Sequence, residues 1–526
     1  MQRKKPRIAA VLAAVLVLGI MLAACSKNNN SGQSSSQAPA TSSASETQPA
    51  GDSPSASAEQ EEEVTLKFYF GGDKKAATDE VWSAISDYVK GKGLNVKFDI
   101  NFIPFNDFKD KMLVMAASGD NWDLNFDGDW LSYKQMAAKG SYMALNDLLP
   151  KYAPNLMQKY EEQGTLGAAT VSGKIVGLPW TMKMNNRQFA TWRSDKVEKA
   201  SLSYAKDSVK TVEDVEKLLR DFKKAYPNEK FNRSTALPIL QIRDEWVDLS
   251  FHGLGFYLSD PKVTIKAIEQ QPFYKDAANI AKVWYNDNLI NRAAMFDKED
   301  GAALWRNGKT AFTLTSHEWV NANPGFADSS YKLESSLLYP DKKQVNRTAL
   351  ANVLAINRNS QHPDRVLRFL DMVETDQKLY DLLQYGIEGK TYVLKGDAAE
   401  YPDGMSTTTS NYMEWGGQWA FWKPQFMRPT TTYPKDFWVH EAEFASQPMN
   451  VNNPIDGLFI AEDNIKNEVA KRDQASDEFG KPIEFGSVKD VDKAVTDYIA
   501  KQKANGVDKI IQEAQKQVDA YLASNQ

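Results

Sequence analysis

Hydrophobic and polar residues alternate at the start of the chain's body. Val64, Leu66, Phe68 and Phe70 fall between Thr65, Lys67 and Tyr69, and Gly71-Gly72-Asp73 ends the run. Period-two alternation predicts a strand. Over 79–89 the spacing changes, with Val81, Ile85 and Val89 on one helical face. Gly91 and Gly93 punctuate, and Leu94, Val96, Phe98, Ile100 and Phe102 alternate again. A helical stretch over 106–118 leads to a third strand over 122–126. Strand–helix–strand–helix–strand predicts an α/β fold with a largely parallel sheet.

The mixture continues downstream. Thr211 with Asp214 forms a capping box ahead of Val212, Val215, Leu218, Leu219 and Phe222. Val366, Phe369, Leu370 and Val373 predict one helix over 363–383. Two amphipathic helices, at about 488–504 and 507–523, flank Gly506 near the end, and no segment repeats another.

The first two dozen residues stand apart. Arg3, Lys4, Lys5 and Arg7 precede an apolar run that ends in Leu22-Ala23-Ala24-Cys25. A basic start, an apolar centre and small residues before a break predict a secretory signal peptide over 1–24. The ending resembles a lipobox, which implies acylation of Cys25, and two acyl chains suffice for stable membrane anchoring. An uncleaved anchor helix is the alternative, and either reading puts the rest of the chain outside the cytoplasm. Residues 25–63 are Ser, Asn, Gln, Ala, Thr and Glu-rich with no large apolar side chain beyond Cys25. Such a segment cannot offset its ordering entropy and is predicted to be a disordered, lipid-anchored linker, or a glycosylated stalk. As a flexible coil it reaches roughly 30–35 Å.

Cys25 is the only cysteine, so the body has no disulfide, CxxC pair or cysteine metal site. About 460 residues remain, more than one hydrophobic core usually serves, which predicts two lobes. Net charge is −6, and the basic residues cluster mainly at the N-terminus. No basic stripe suited to nucleic acid is present.

Thirteen tryptophans include several that no core periodicity asks for. Trp180 follows Gly177-Leu178-Pro179, Trp319 lies past a strand-like 310–314, and Trp415, Trp419 and Trp422 crowd a Gly- and Pro-containing segment. Sugar rings pack their C–H faces on indoles while their hydroxyls need fixed polar partners. These five, with Trp246, are therefore candidate ligand contacts, ordinary packing being the alternative. Asp127, Gly128, Asp129 and Trp130 follow the third strand, at the edge where open α/β sheets bind ligands. Asp127, Asp129, Trp130 and, at the end of the first strand, Asp73 are candidates on that ground. The carboxylates could instead cap the following helices.

Asp127 and Asp129 do not make a glycosidase pair, because both come from one wall and no opposing carboxylate stands out. His317-Glu318 and the other histidines lack metal-ligand spacing, and there is no P-loop, GxSxG elbow or complete EF-hand. No cofactor or metal is expected. Arg187, Arg193 and Arg428 could meet an acidic ligand or simply lie at the surface.

Several segments in order carry a resemblance. Phe68–Phe70 with Gly71-Gly72-Asp73-Lys74, then Ala116-Ala117-Ser118-Gly119-Asp120, Trp122-Asp123-Leu124-Asn125-Phe126, Gly140 and Leu145-Asn146-Asp147 resemble the N-terminal part of extracellular solute-binding proteins of the maltose-binding type. Val176-Gly177-Leu178-Pro179-Trp180 and Leu304-Trp305-Arg306-Asn307-Gly308-Lys309 are similar to later family segments. Leu383-Gln384-Tyr385-Gly386-Ile387-Glu388-Gly389-Lys390, Gln425-Phe426 before Trp438, and the 510–522 tail are similar to the Gram-positive LipO-like lipoproteins. The segment 415–428 departs from the family pattern, so the ligand does not carry over.

The resemblance implies a two-lobed periplasmic-binding-protein-like fold whose hinge closes an interlobe cleft. Lobe 1 is expected over 64–180, 338–395 and 465–526, and lobe 2 over 181–337 and 396–464. It further implies a monomeric, non-enzymatic lipoprotein on the extracellular face of a Gram-positive membrane, delivering solute to ABC permease subunits. The tryptophans favour a short β-linked neutral or N-acetylated oligosaccharide, such as a chito-oligosaccharide. A peptide or other solute, or a role as surface polysaccharide adhesin or hydrolase accessory, remains open at this level.

Overall fold

The computed structural model describes residues 61–526 except 231, 297–303, 306, 316–329, 431–432, 434–436 and 525–526. The expected signal peptide, Cys25, residues 25–60 of the linker and Trp319 lie outside the described residues.

The first elements follow the alternation in the sequence. They are β1 (Val64–Gly71), α1 (Thr78–Gly91), β2 (Val96–Ile103), α2 (Phe105–Ser118), β3 (Leu124–Asp127) and α3 (Tyr133–Ala138). Next come β4 (Leu178–Pro179), β5 (Phe189–Arg193), α4 (Val212–Ala225), β6 (Trp246–Phe251), β7 (Leu254–Tyr257) and α5 (Pro272–Asn286). After β8 (Phe312–Thr315), β9 (Leu333–Leu337) and β10 (Val353–Ile356), helices dominate. These are α6 (Pro363–Thr375), α7 (Gln377–Gln384), α8 (Phe437–Ser446), α9 (Lys466–Ala475), α10 (Val491–Ala504) and α11 (Val507–Ser524).

The first lobe is built on a five-stranded sheet of order β2-β1-β3-β10-β4. β1 pairs in parallel with β2 and β3, whereas β10 runs antiparallel to its neighbours β3 and β4. Leu66, Phe68 and Phe70 of β1 are fully buried, as the alternation requires. Val81, Trp82, Ile85 and Val89 of α1 and Val366, Phe369 and Val373 of α6 join the same core. Phe98 links them, with ring centroids 5.1 Å from Trp82 and 4.8 Å from Phe369. The single helix expected over 363–383 is broken at Asp376. Its carboxylate accepts from the N–H groups of Lys378 and Leu379 and starts α7 afresh.

The second lobe centres on β5, flanked antiparallel by β8 and β9, and on the β6–β7 hairpin. The Thr211–Asp214 capping box is present and starts α4, whose face Val212, Val215, Leu218, Leu219 and Phe222 is buried.

Three expectations about boundaries are corrected. The helices over 488–504 and 507–523, assigned to lobe 1, pack instead with the second lobe. Val491, Val495 and Tyr498 of α10 share a core with α4 and α5, while Val507, Ile510, Ala514 and Val518 of α11 share one with Val247, Leu254 and Phe256. A buried ion pair fixes α9 to the same lobe, with Arg472 Nη1 2.8 Å and Nη2 2.9 Å from the two Glu269 oxygens. Conversely Tyr412, Trp415 and Phe421, assigned to lobe 2, lie in the first lobe's core. Residues 61–63, expected in the linker, are tied to the body: Glu61 pairs with Arg365 at 2.6 Å and Arg368 at 2.7 Å.

Candidate functional site

β3 ends on Asp127, and the loop behind it is shaped by that side chain. Asp127 Oδ1 accepts from the N–H groups of Gly128 at 2.8 Å and Ser132 at 3.0 Å. Its Oδ2 accepts from the Tyr142 hydroxyl and from Ser132 Oγ. The carboxyl is fully buried, and the loss of water pushes its pKa up to about 6 against the pull of these donors. Asp127, a candidate ligand contact from the sequence, is thus the organiser of the turn and does not line the cleft.

The turn fastens the next residues to the chain that returns between the lobes. Trp180 N–H donates to the carbonyl of Ala349 at 3.3 Å, Asp129 N–H to Leu350 at 2.9 Å, and Trp130 Nε1 to Ala351 at 2.8 Å. Three consecutive carbonyls therefore hold three candidate residues. Gly128 makes the approach possible, since a Cβ there would lie 2.8 Å from the Ala351 oxygen. So held, Asp129 is exposed, and its carboxylate makes no hydrogen bond to any described residue. Trp130 keeps 51% of its surface exposed. Its ring lies 6.0 Å from Phe105, which lies 5.8 Å from the half-buried Trp419.

Beside this platform stands a second aromatic group. Trp180 stacks on Trp422 with centroids 5.7 Å apart and planes at 9°, and donates its Nε1–H to the Trp419 carbonyl at 2.6 Å. Trp438 meets Trp422 edge-on at 4.7 Å. The Arg347 guanidinium sits 5.3 Å over the Trp180 ring, a cation–π geometry. It forms no hydrogen bond or ion pair with a described residue, although Asp129 and Glu441 favour its charge. Burial lowers its pKa from the usual guanidinium value. Sequence reasoning missed Arg347, because a lone arginine in Asn346-Arg347-Thr348 has no periodic signature.

Asp129 also lines a cleft of about 630 Å³. Lys134 comes from the first lobe, Asn186 and Thr348 from the crossing chains, and His252, Asp456 and Phe459 from the second. The lining carries four lysines against five carboxylates, so donors and acceptors nearly balance. Asp456 has its pKa raised by burial and by Asp129, opposed by the Thr348 hydroxyl and Lys134. Among the described residues no group of three or more His, Cys, Asp or Glu side chains is placed to hold a metal ion.

The remaining candidates divide. Trp415 is fully buried, donates to the Leu383 carbonyl at 2.8 Å and meets Phe70 at 4.9 Å, so it is a core residue. Trp246 is another, packed on Tyr257 at 5.2 Å and Phe273 at 5.5 Å. Asp73 is exposed but outside the cleft lining. Arg187 binds the Pro340 carbonyl at 3.0 Å, Arg193 pairs with Asp195 at 2.6 Å, and Arg428 pairs with Asp381 at 2.8 Å, so all three are structural. The structure brings together Asp129, Trp130, Trp180, Trp419 and Trp422, and adds Arg347; of these Asp129 lines the cleft and Trp130 is exposed next to it, whereas Trp180 and Trp422 are buried and support the platform from behind.

Known proteins resemble the chain in sequence and in fold. Residues 72–378 match the family described as bacterial extracellular solute-binding protein, and residues 454–523 match one described as a domain of unknown function. A carbohydrate ABC transporter substrate-binding protein of Streptococcus pneumoniae serotype 4 is 24% identical over 476 residues, covering 87% of this chain and 91% of that protein. The crystal structure of the N-glycan transport solute-binding protein NgtS from Streptococcus pneumoniae superposes with a TM-score of 0.72 at 20% identity, covering 88% of this chain and 100% of NgtS. The same protein in complex with Man5GlcNAc gives a TM-score of 0.62 at 21% identity, covering 88% and 99%. At that identity the likeness concerns the two-lobed fold.

Proposed function

The chain belongs to the bacterial extracellular solute-binding proteins, and from that premise we propose that it captures a short oligosaccharide in the interlobe cleft and delivers it to an ABC importer. The family binds solutes without transforming them, and the chain is not an enzyme. The observation that carries the sugar reading is the set at the end of β3. An unpaired carboxylate (Asp129), an unpaired guanidinium (Arg347) and a half-exposed indole (Trp130) offer an acceptor, a donor and an apolar face together. Sugars need all three at once.

Charge balance around the cleft suits a neutral ligand rather than a uronate, whose carboxylates would call for surplus cations. The carbohydrate-transport relative supports the class, and the complex of NgtS with Man5GlcNAc supports a glycan containing an N-acetylated residue. Neutral or N-acetylated oligosaccharides, including β-linked chito-oligosaccharides, are thus the ligand we assign. Anchoring through lipid on Cys25, an extracellular position and permease partners belong to the same proposal, on the N-terminal sequence and the family's role.

The test is a thermal-shift screen of residues 61–526 against chito-, gluco-, xylo- and fructo-oligosaccharides and N-glycan fragments, with peptides as controls. A ligand at about 100-fold over its dissociation constant stabilises the native state by roughly 2.7 kcal/mol. One sugar series with a preferred length is the expected result. A response to peptides alone would overturn the sugar reading.

A further inference from the structure

Residues 454–523, matched only as a domain of unknown function, begin with an irregular stretch before α9. Nine of the 26 residues lining the cleft lie within 455–466. A free loop of this kind would have to be ordered by its ligand, at a cost of roughly 1–2 kcal/mol per backbone residue. Here it is already held.

The Gln517 carboxamide on α11 accepts from Ala461 N–H at 2.8 Å and donates to the Ala461 carbonyl at 3.0 Å. A third bond, donated to Glu513 at 2.9 Å, orients that carboxamide. One turn further along α11, the Tyr521 hydroxyl donates to the Asp456 carbonyl. On the other flank, His252 bridges Glu462 at 3.0 Å and Asp473 of α9 at 2.8 Å. Beneath the loop, Ile455, Ile460 and Ile465 pack with Val507, Ile510 and Val518. Main chain at 456 and 461, and a side chain at 462, are thus clamped from two helices and a turn.

What the clamped loop presents is suited to a sugar. The Asp456 carboxylate stands in reach of the Thr348 hydroxyl and faces Asp129 and Lys134 of the first lobe. Phe459 keeps 36% of its surface exposed on the cleft lining. A carboxylate beside an exposed aromatic ring repeats, in the second lobe, the Asp129–Trp130 pair of the first.

We propose that the C-terminal segment is the ligand-reading wall of the second lobe: Asp456 and Phe459 contact the sugar, and Gln517 and Tyr521 position them. This rests on the oligosaccharide reading of the cleft and gives the segment a role within it.

The test is calorimetric titration with Man5GlcNAc and with chito-oligosaccharides, for the unaltered chain and for Asp456→Asn, Phe459→Ala, Gln517→Ala and Tyr521→Phe. Hydrogen exchange of the loop without sugar runs alongside. Each variant is expected to weaken binding by about tenfold or more, the effect of a lost charge-assisted hydrogen bond or aromatic contact. In Gln517→Ala the Ala461 amide should exchange faster than in the unaltered chain. A sugar that binds the chain and all four variants alike overturns the wall and leaves the oligosaccharide reading standing. An Ala461 amide indifferent to Gln517→Ala overturns the clamp. Failure of the unaltered chain to bind any saccharide overturns the oligosaccharide reading, and the wall with it.

Discussion

Asp127 gives a prediction whose sign and size follow from its surroundings. Burial places its pKa at about 6, above the 3.8 of an aspartate in water. Between those values the unfolded chain has released the proton and the native state still holds it, so stability falls as pH rises through that window. At about 1.4 kcal/mol per pKa unit, the full effect is about 3 kcal/mol, complete near neutrality and absent below the unfolded pKa. Asp127→Asn removes the titration while keeping an oxygen for the Gly128 and Ser132 N–H groups. Its amide would donate to the Tyr142 hydroxyl, which costs something at every pH. The quantity to measure is therefore the difference between variant and parent in urea unfolding, followed from about pH 4 to pH 7, a subtraction that cancels other titrating groups. Stability of the Asn variant should gain on the parent by about 2.4 kcal/mol across that range. Parallel curves would show that Asp127 ionises in the fold as it does in water, and would refute the account of the loop as a desolvated turn.

The ion pair of Arg472 and Glu269 is nearly inaccessible to solvent, at 1% and 0% exposure of the two side chains. Glu269→Ala alone should cost about 3–5 kcal/mol in urea unfolding, and Glu269→Leu combined with Arg472→Met should restore most of it. A double variant no better than the single one would contradict that reading. Arg347→Met keeps the apolar contact with Trp180 but removes the donor, so saccharide affinity should fall by about ten- to a hundredfold with little change in melting temperature. Trp415→Ala should destabilise the chain by about 3–5 kcal/mol. Trp130→Ala, which gives up the hydrogen bond to Ala351, should cost only about 1 kcal/mol and weaken binding, and the reverse pattern would exchange the two tryptophans' roles.

The first three strands of the first lobe's sheet were legible because they announce themselves, whereas β10 and β4 were not read, and their antiparallel pairing leaves the sheet half parallel instead of largely parallel. Leu66, Phe68 and Phe70 alternate cleanly, and glycines stop the run where the strand stops. The loop after β3 stood out on the rule that ligands sit at strand ends in an α/β sheet, and its Asp129 lies on the cleft lining. Within it, however, nothing local separates Asp127 from Asp129, because one faces Tyr142 and the other the cleft only after residues far apart have packed. Trp415 shows the same limit. Its Gly-rich neighbourhood reads as a surface loop, yet the segment folds over the end of β1, where a Cβ on Gly416 would lie 1.9 Å from the Gly71 oxygen. An amphipathic face likewise declares that α11 is buried without naming its partner, which is how the C-terminal helices came to be expected on the wrong lobe.

The three carbonyls of Ala349, Leu350 and Ala351 have a bearing on how such a protein changes its cargo over generations. The atoms that grip Trp180, Asp129 and Trp130 at this latch belong to the main chain, which every amino acid carries. The bonding atoms at 349–351 are carbonyl oxygens whatever side chains stand there, and a new residue at 129 inherits the same N–H. Substitutions at the reading positions can then be tried one at a time on a mount that stays put. A lineage built this way can move from one sugar to another without first dismantling its hinge.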